Sequence, residues 1–451
     1  MAHPSTIFYL VPLNERALDV VKHPSNRHLF STYDDKPVLN IDLTIPSHSC
    51  SSNTIVTLGR GKATDIVIDG QDISRLQCSF EIDDTTHMVM LHDRSVKGTT
   101  HVSGSGNFMS FQQGRPRIIV VCKEFNDIVR LGVFEETCVK FQLSWPNSPV
   151  QSEAIIRNRQ VSTSKFKESP QDVRTNSGPE TVLPSGYMQT RIHTPGSKQF
   201  PLRYHRLNDL AKGGFGTVYK AVNVDTGKLL AVKCLPIRGA GSYHLLKREV
   251  ETLYHQEVEI CMNLMEGSVE SLFEVSPPKE ARSVLDSIVH DTLQALDYMA
   301  FHNFIHRDVK PANILYSKRG ETYVFQLGDF GLSKRIDLGA TQVGTPMYAA
   351  PEIWSKGSKQ TPAADIWSLF VTVLWVLDLN RFRSTARTLE AEALIPWIVA
   401  LANDSKVKAI SAMARTNPTE RATAAQMLVQ CWDGKGLTTP LRKVAPLTPG
   451  K

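Results

Sequence analysis

The sequence predicts a multidomain chain, an all-β sandwich followed by an α+β region, and three observations carry that reading. Up to about residue 146, short β-rich runs alternate with turn clusters and show no helical period. Residues 147–200 turn polar, rich in Ser, Pro, Thr, Asn and Gln, with too few large apolar side chains to close a core. From 201 onward, strand-like runs give way to stretches with a 3.6-residue apolar period, such as 281–299 and 364–377. At 451 residues the chain is long enough for two or three domains, each with its own core.

Taken in order, the strand-like runs of the first part fall at 7–11, 38–45, 55–58, 66–68, 78–82, 88–91, 118–121 and 139–143. Many short strands separated by turn signals pack as two facing sheets, which makes 5–146 the first domain. Residues 147–200 are expected to be a disordered linker and 201–433 the second domain. Residues 434–451, basic and Pro-containing, are expected to be a disordered tail. No internal repeat is visible.

Composition excludes several classes. The charged and apolar fractions, 21% and 41%, are ordinary for a globular protein. The net charge of +6 is too diffuse to argue direct nucleic-acid binding. No basic segment precedes an apolar core at the start, so no signal peptide is expected. The apolar stretch 369–377 is too short to span a bilayer, and no membrane partner is expected. Seven cysteines without Cys-x-x-Cys spacing suggest free thiols in a reducing compartment, nuclear or cytoplasmic.

The run His306-Arg307-Asp308-Val309-Lys310-Pro311-Ala312-Asn313 is followed about twenty residues later by Asp329-Phe330-Gly331, then by Ala350-Pro351-Glu352. Phosphoryl transfer needs an acceptor beside the attacking hydroxyl, which Asp308 can supply. It needs hard oxygen ligands for magnesium, which Asn313 and Asp329 offer. Lys310 can neutralise charge on the moving group. Upstream, Gly213-Gly214-Phe215-Gly216 sits between two strand-like stretches, where missing Cβ atoms let backbone N–H groups approach phosphates. Lys233 follows at strand spacing and suits the α- and β-phosphates, with Glu249 its best partner on the next helix and Glu251 the runner-up.

These motifs, in this order and spacing, resemble the protein kinase family. The resemblance implies an α+β bilobal fold, ATP and Mg2+ as cofactors, and protein substrates. Val218, Ala231 and Leu315 match the positions that sandwich adenine. Residues 258–267 resemble the strand and hinge that pair with it, with Met262 as gatekeeper and Leu264 in the hinge. Lys310 within its motif, and Gly344-Thr345-Pro346-Met347-Tyr348, resemble serine/threonine rather than tyrosine kinases. Asp365 is expected to anchor the catalytic loop from a buried helix, and Arg421 to pair with Glu352. Arg307 beside Asp308 could receive a phosphate on the activation segment. Thr341 is the best switch residue there, and Thr345 is expected to hydrogen-bond near Asp308. One stretch departs from the family: between Glu249 and Val258 the chain is about fifteen to twenty residues short of the helix turns, connections and fourth strand expected there.

In the first domain, Gly59-Arg60 ends one strand, and Ile73-Ser74-Arg75 and the run 93–99 follow at intervals of about one hairpin. This resembles a forkhead-associated (FHA) domain, a β-sandwich whose loops at one end bind phosphothreonine peptides. Arg60 can make charge-assisted bonds to phosphate and Ser74 can donate its hydroxyl. Arg75 and Lys62 are near enough in the loops to assist, Gly98 permits a tight turn, and Thr99 holds the loop. Gln77 stands where the family usually has histidine. Lys97 stands where it usually has the asparagine that fixes the peptide backbone, and adds charge to the site.

An FHA domain joined to a serine/threonine kinase resembles the fungal checkpoint and meiotic effector kinases of the calmodulin-dependent kinase group. The expected partners are threonine-phosphorylated proteins, protein substrates and, through phosphorylated Thr341, a second copy of the chain. The alternative is a phosphopeptide-binding adaptor whose kinase-like domain is inactive, an option raised by the short stretch after Glu249.

Overall fold

Short strands of the first 147 residues close into two facing sheets in the computed structural model. It describes residues 5–43, 53–104, 106–123, 125–147, 201–213, 216–236, 257–275, 281–330, 333–335, 345–354 and 360–447. The expected linker, apart from residue 147, and the segment 237–256 lie outside the described residues. The chain forms two units, residues 1–263 and 264–451.

In the first unit, one sheet holds β1 (Thr6–Pro12), β2 (Phe30–Tyr33), β3 (Lys36–Asp42), β8 (Thr100–Ser103), β10 (Ile128–Leu131) and β11 (Val139–Ser144), in the order β2-β3-β1-β11-β10-β8. The other holds β4 (Thr54–Gly59), β5 (Ile66–Val67), β6 (Cys78–Ile82), β7 (Val89–Asp93) and β9 (Ile118–Val120), in the order β5-β4-β6-β7-β9. Alternation sets the inward faces: in β11 Val139, Phe141 and Leu143 are buried while their neighbours are half-exposed. Phe8 on β1 and Phe80 on β6 meet with ring centroids 5.0 Å apart, joining the layers. The expected absence of helix fails at α1 (Glu15–Lys22). Asn14 caps it by accepting from the Ala17 N–H, and Ala17, Val20 and Val21 turn inward. Strands β2, β8 and β10 went unread in the sequence because they are only four residues each, too short to show an alternating period.

Four antiparallel strands follow, β12 (Tyr204–Gly213), β13 (Gly216–Asn223), β14 (Leu229–Pro236) and β15 (Glu257–Asn263), in sequence order across the sheet. Among the described residues no strand lies beyond β15, where the family pattern places a further one. On one face Ala221, Val232 and Cys234 form a small buried cluster. Above it Tyr204 and Arg206 both bond Glu259 at 2.5 Å. Burial and that carboxylate push the Tyr204 hydroxyl up to about 12.

The second unit contains β16 (Gly267–Ser268), α2 (Val269–Val275), α3 (Ala281–Phe301), β17 (Phe304–Ile305), β18 (Ile314–Arg319), β19 (Thr322–Leu327) and β20 (Lys334–Arg335). It continues with α4 (Ala363–Leu377), α5 (Phe382–Thr385), α6 (Ala391–Leu401) and α7 (Ala424–Trp432). Helix α4 is apolar nearly all round, and thirteen of its fifteen residues are buried, so it is the centre of this unit rather than a surface helix. Among the described residues no helix is long and apolar enough to cross a membrane.

The segment after α7 departs from the expected disordered tail. Asp297 on α3 is 2% exposed. Its Oδ2 accepts from the Thr438 and Thr439 N–H groups at 2.7 and 2.9 Å, and its Oδ1 from the Thr439 hydroxyl at 2.6 Å. Leu437 and Leu447 pack against the core. Specific anchoring, which charge and proline content do not reveal, orders this segment.

Candidate functional site

The loop between β17 and β18 is held from beneath by α4. Asp365, 2% exposed, accepts the His306 N–H on Oδ2 and the Arg307 N–H on Oδ1, both at 2.8 Å. Burial raises this carboxyl to about 6 against the pull of those two bonds. Burial also holds the fully enclosed His306 ring below its usual range. A neutral ring fits its bonds: Nε2–H donates to the Gly328 carbonyl at 2.9 Å and Nδ1 accepts from the Asp308 N–H at 3.4 Å. Arg307 takes a left-handed φ of 72°, a non-glycine outlier that these anchors hold in place.

Asp308, Lys310, Asn313 and Thr345 converge. Asp308 Oδ2 receives the Lys310 ammonium and the Asn313 amide, each at 2.8 Å, and its Oδ1 receives the Thr345 hydroxyl at 2.9 Å. Lys310 also donates to Thr345 at 2.8 Å. Asn313 gives a second bond to the Asp308 carbonyl at 2.8 Å. Its amide nitrogen is thereby fixed on Asp308, and its Oδ1 is the atom left to ligate a cation. Gly328 donates its N–H to the Asn313 carbonyl at 2.8 Å, so Asp329 starts one residue from the Asn313 main chain. Asp329 has a φ of 56° and is exposed. Phe330 meets the His306 ring edge-on at 5.2 Å. Leu264 is half-buried, as is Leu315, whose side chain lies against Gly328.

The first unit carries the remaining nucleotide-site candidates on one face. Antiparallel register sets Val218 opposite Lys233, Lys233 opposite Ile260, and Ala231 opposite Met262. Paired residues and those two apart share a sheet face, so Val218, Ala231, Lys233 and Met262 line it together. Gly213 ends β12, opposite Gly216. Gly216 has a φ of 125°, and a Cβ there would fall 2.1 Å from the Cys234 carbonyl oxygen, so only glycine fits. Gly214, Phe215, Glu249, Glu251 and Thr341 lie outside the described residues.

At the sandwich end, the loops after β4, before β6 and after β7 come together. Arg60 N–H donates to the Ser74 carbonyl and Gly61 N–H to the Arg75 carbonyl, both at 3.0 Å. Gln77, wholly buried, ties the loop before β6 to the one after β7. Its Oε1 accepts from the Ser74 N–H at 2.8 Å, and its Nε2 donates to the Thr99 and Thr100 hydroxyls at 2.9 and 3.0 Å. Arg60, Lys62, Arg75 and Lys97 are exposed around this knot, and Ser74 is half-buried with its hydroxyl accepting the Val96 N–H at 3.4 Å. Sequence reasoning missed Arg117, which pairs with the buried Asp93 and bonds the Ser95 hydroxyl at 3.0 Å. Ser95 in turn accepts the Thr99 N–H at 2.8 Å. Only the basic Arg115-Pro116-Arg117 run hinted at it.

In the second unit a charged acceptor loop is locked on a buried aspartate, and in the first a sheet carries a glycine turn and a lysine on one face, the parts of a phosphotransferase domain; a β-sandwich precedes them. The family comparisons agree. The protein kinase domain matches residues 204–432 and the FHA domain residues 56–110. The chain belongs to the protein kinase family and carries an FHA domain. It is 28% identical over 255 residues to Serine/threonine-protein kinase dst2 of Dictyostelium discoideum, covering 50% of this chain and 22% of that one. It is 31% identical over 207 residues to Serine/threonine-protein kinase 4 homolog B of the same organism, covering 41% and 18%. The chain's matched part thus spans about a fifth of the length of these relatives.

Proposed function

We infer that this chain transfers the γ-phosphate of ATP to serine or threonine hydroxyls of proteins, and that its FHA domain recruits it to phosphothreonine partners. The observation that carries the catalytic half is the Asp308 carboxylate held by Lys310, Asn313 and Thr345. A carboxylate offers roughly four acceptor sites, and three are in use, which leaves one for a substrate hydroxyl. Asp308 would orient that hydroxyl and take its hydrogen bond as the oxygen becomes the nucleophile. Lys310 would balance charge on the transferred group. Val218, Ala231 and Met262 on the sheet face suit adenine, and Lys233 and the turn at Gly216 suit the phosphates; in the second unit Leu264 and Leu315 match the family's adenine-contacting positions.

Magnesium fits the oxygen donors present. Asn313 Oδ1 and the Asp329 carboxylate would hold it, and its charge would neutralise phosphate oxygens when bound. A phosphate on Thr345 would put negative charge against Asp308 and block the site, so Thr345 is read as a docking residue rather than an activating one.

Phosphothreonine recognition is supported by the exposed Arg60, Arg75 and Lys97 around the Gln77 knot. The adaptor reading has one observation in its favour: among the described residues no strand lies beyond β15. A single assay separates the two: the full chain with labelled ATP, magnesium and a mixed protein substrate, followed by phosphoamino-acid analysis. Label on serine and threonine is expected. No label, with no magnesium-dependent ATP binding, would leave the adaptor.

A further inference from the structure

Val222 and Val224, at the end of β13 and in the turn after it, are fully buried, and they belong to the core of the sandwich. The small lobe's own buried cluster, among the described residues, is Ala221, Val232 and Cys234. At its β15 edge Ile260 and Met262 remain exposed. Burying the sheet's apolar side chains against a neighbouring layer adds to its stability.

The contact that supplies this layer is built. Asp225, in the turn between β13 and β14, is 9% exposed and lies between two arginines. Arg115 Nη1 is 2.6 Å from its Oδ2, and Arg203 Nη2 is 2.5 Å from its Oδ1. Both guanidinium groups are themselves withdrawn from solvent, and their other N–H groups are used. Arg115 donates to the Pro201 carbonyl and Arg203 to the Ser110 carbonyl, each at 2.7 Å. Beside this clamp Val120 N–H donates to the Val224 carbonyl at 3.0 Å, which caps the outer edge of β9. Phe125 of the sandwich stacks on His205 of β12 at 4.1 Å. A charge triad this enclosed is costly to leave half-made, so the joint is specific.

We propose that the sandwich is a permanent brace of the kinase small lobe, clamped at Asp225, and that the strand carrying Lys233 keeps its order through that clamp whether or not a phosphopeptide is bound. The phosphate-reading loops leave the Gly59, Cys78 and Asp93 ends of β4, β6 and β7, whereas Gly227 of the small-lobe turn passes beside Met90 and Asp83, toward the other end of β7. Clamp and phosphopeptide therefore use different surfaces of one domain, and both can be engaged together.

Hydrogen exchange of the full chain tests this. Asp225→Ala is expected to lower amide protection at least tenfold across 216–236 while β1 and β11, away from the contact, keep theirs. Arg115→Ala, which leaves Arg203 on Asp225, is expected to give a smaller loss in the same strands and carries the test if Asp225→Ala does not fold. The double variant is expected to lose no more than Asp225→Ala alone. Unchanged protection of 216–236, or a loss spread evenly over both sandwich sheets, overturns the brace. Backbone exchange decides the matter even in a chain that transfers no phosphate.

Discussion

Arg421 and Glu352 meet in a two-point ion pair inside the large lobe, Nη1 to Oε1 at 2.7 Å and Nη2 to Oε2 at 2.8 Å. The same guanidinium donates to the carbonyls of Ala363 and Arg415 at 2.8 Å and lies over the Trp367 ring. Arg421→Ala strands a buried carboxylate and is expected to cost about 3–5 kcal/mol. Arg421→Lys should recover only part, because an ammonium cannot match both oxygens at once. Denaturant titration of the full chain measures both; a loss under about 1 kcal/mol for Arg421→Ala would contradict the structure's account.

Asp308→Asn keeps the shape of the catalytic loop and removes the charged acceptor. Transfer should fall by about 10²–10⁴-fold, the range for losing a positioned acid or base. Nucleotide affinity should stay within a few-fold, because Lys233 and the glycine turn are untouched. Single-turnover kinetics beside equilibrium ATP titration distinguish this from a folding defect, and equal losses in both would shift Asp308 from chemistry to structure.

Gln77 makes a different claim. Its side chain never reaches the surface, yet it joins Ser74 to Thr99 and Thr100. Gln77→Ala leaves several buried polar groups unpaired and should destabilise the sandwich by about 1–3 kcal/mol for each. Phosphothreonine-peptide affinity should fall with it. Arg60→Ala should weaken the peptide by about 1.5–3 kcal/mol with little change in melting. Calorimetric titration and thermal melting of the two variants should therefore diverge, and parallel behaviour would argue against the division of labour.

Asp365 links pH to both stability and activity, with opposite signs. Its folded value near 6 stands above the unfolded value of about 3.9. Between the two the folded chain holds a proton that the unfolded chain has lost. Its contribution to stability is therefore full below about pH 4 and declines as pH rises to about 6, by roughly 3 kcal/mol in total. Activity should run the other way, because a protonated carboxyl grips the His306 and Arg307 N–H groups less well. Comparing wild type with Asp365→Asn from pH 4.5 to 7 isolates this group; a stability difference that does not change with pH would remove Asp365 as its source.

Much of this was legible in the sequence because the relevant chemistry is local. Asp308, Lys310 and Asn313 are packed into six residues of one loop, and the family pattern singled out Val218, Ala231, Lys233 and Met262, which the strand register sets on a common sheet face. The Arg421–Glu352 and Asp365 anchors followed from the family pattern. What escaped was contact between distant segments without local signature. Asp225 is one acid in an ordinary Asn-Val-Asp-Thr-Gly turn, and nothing in the sequence pairs it with Arg115 across 110 residues. Helix α1 escaped too, since eight residues give little more than two turns of periodicity and only Asn14 signals its start.

The bond set on Asp297 has a practical outcome for anyone handling this protein. Similarity to the kinase family ends at residue 432, but the groups that satisfy that buried carboxylate are at Thr438 and Thr439. A recombinant version cut at the edge of the similarity would strip Asp297, near the end of α3, of its partners and bare an apolar strip where Leu437 and Leu447 had lain. Such a piece would precipitate or resist purification for reasons unrelated to its chemistry, and its silence in an assay would say nothing about whether the intact chain is active.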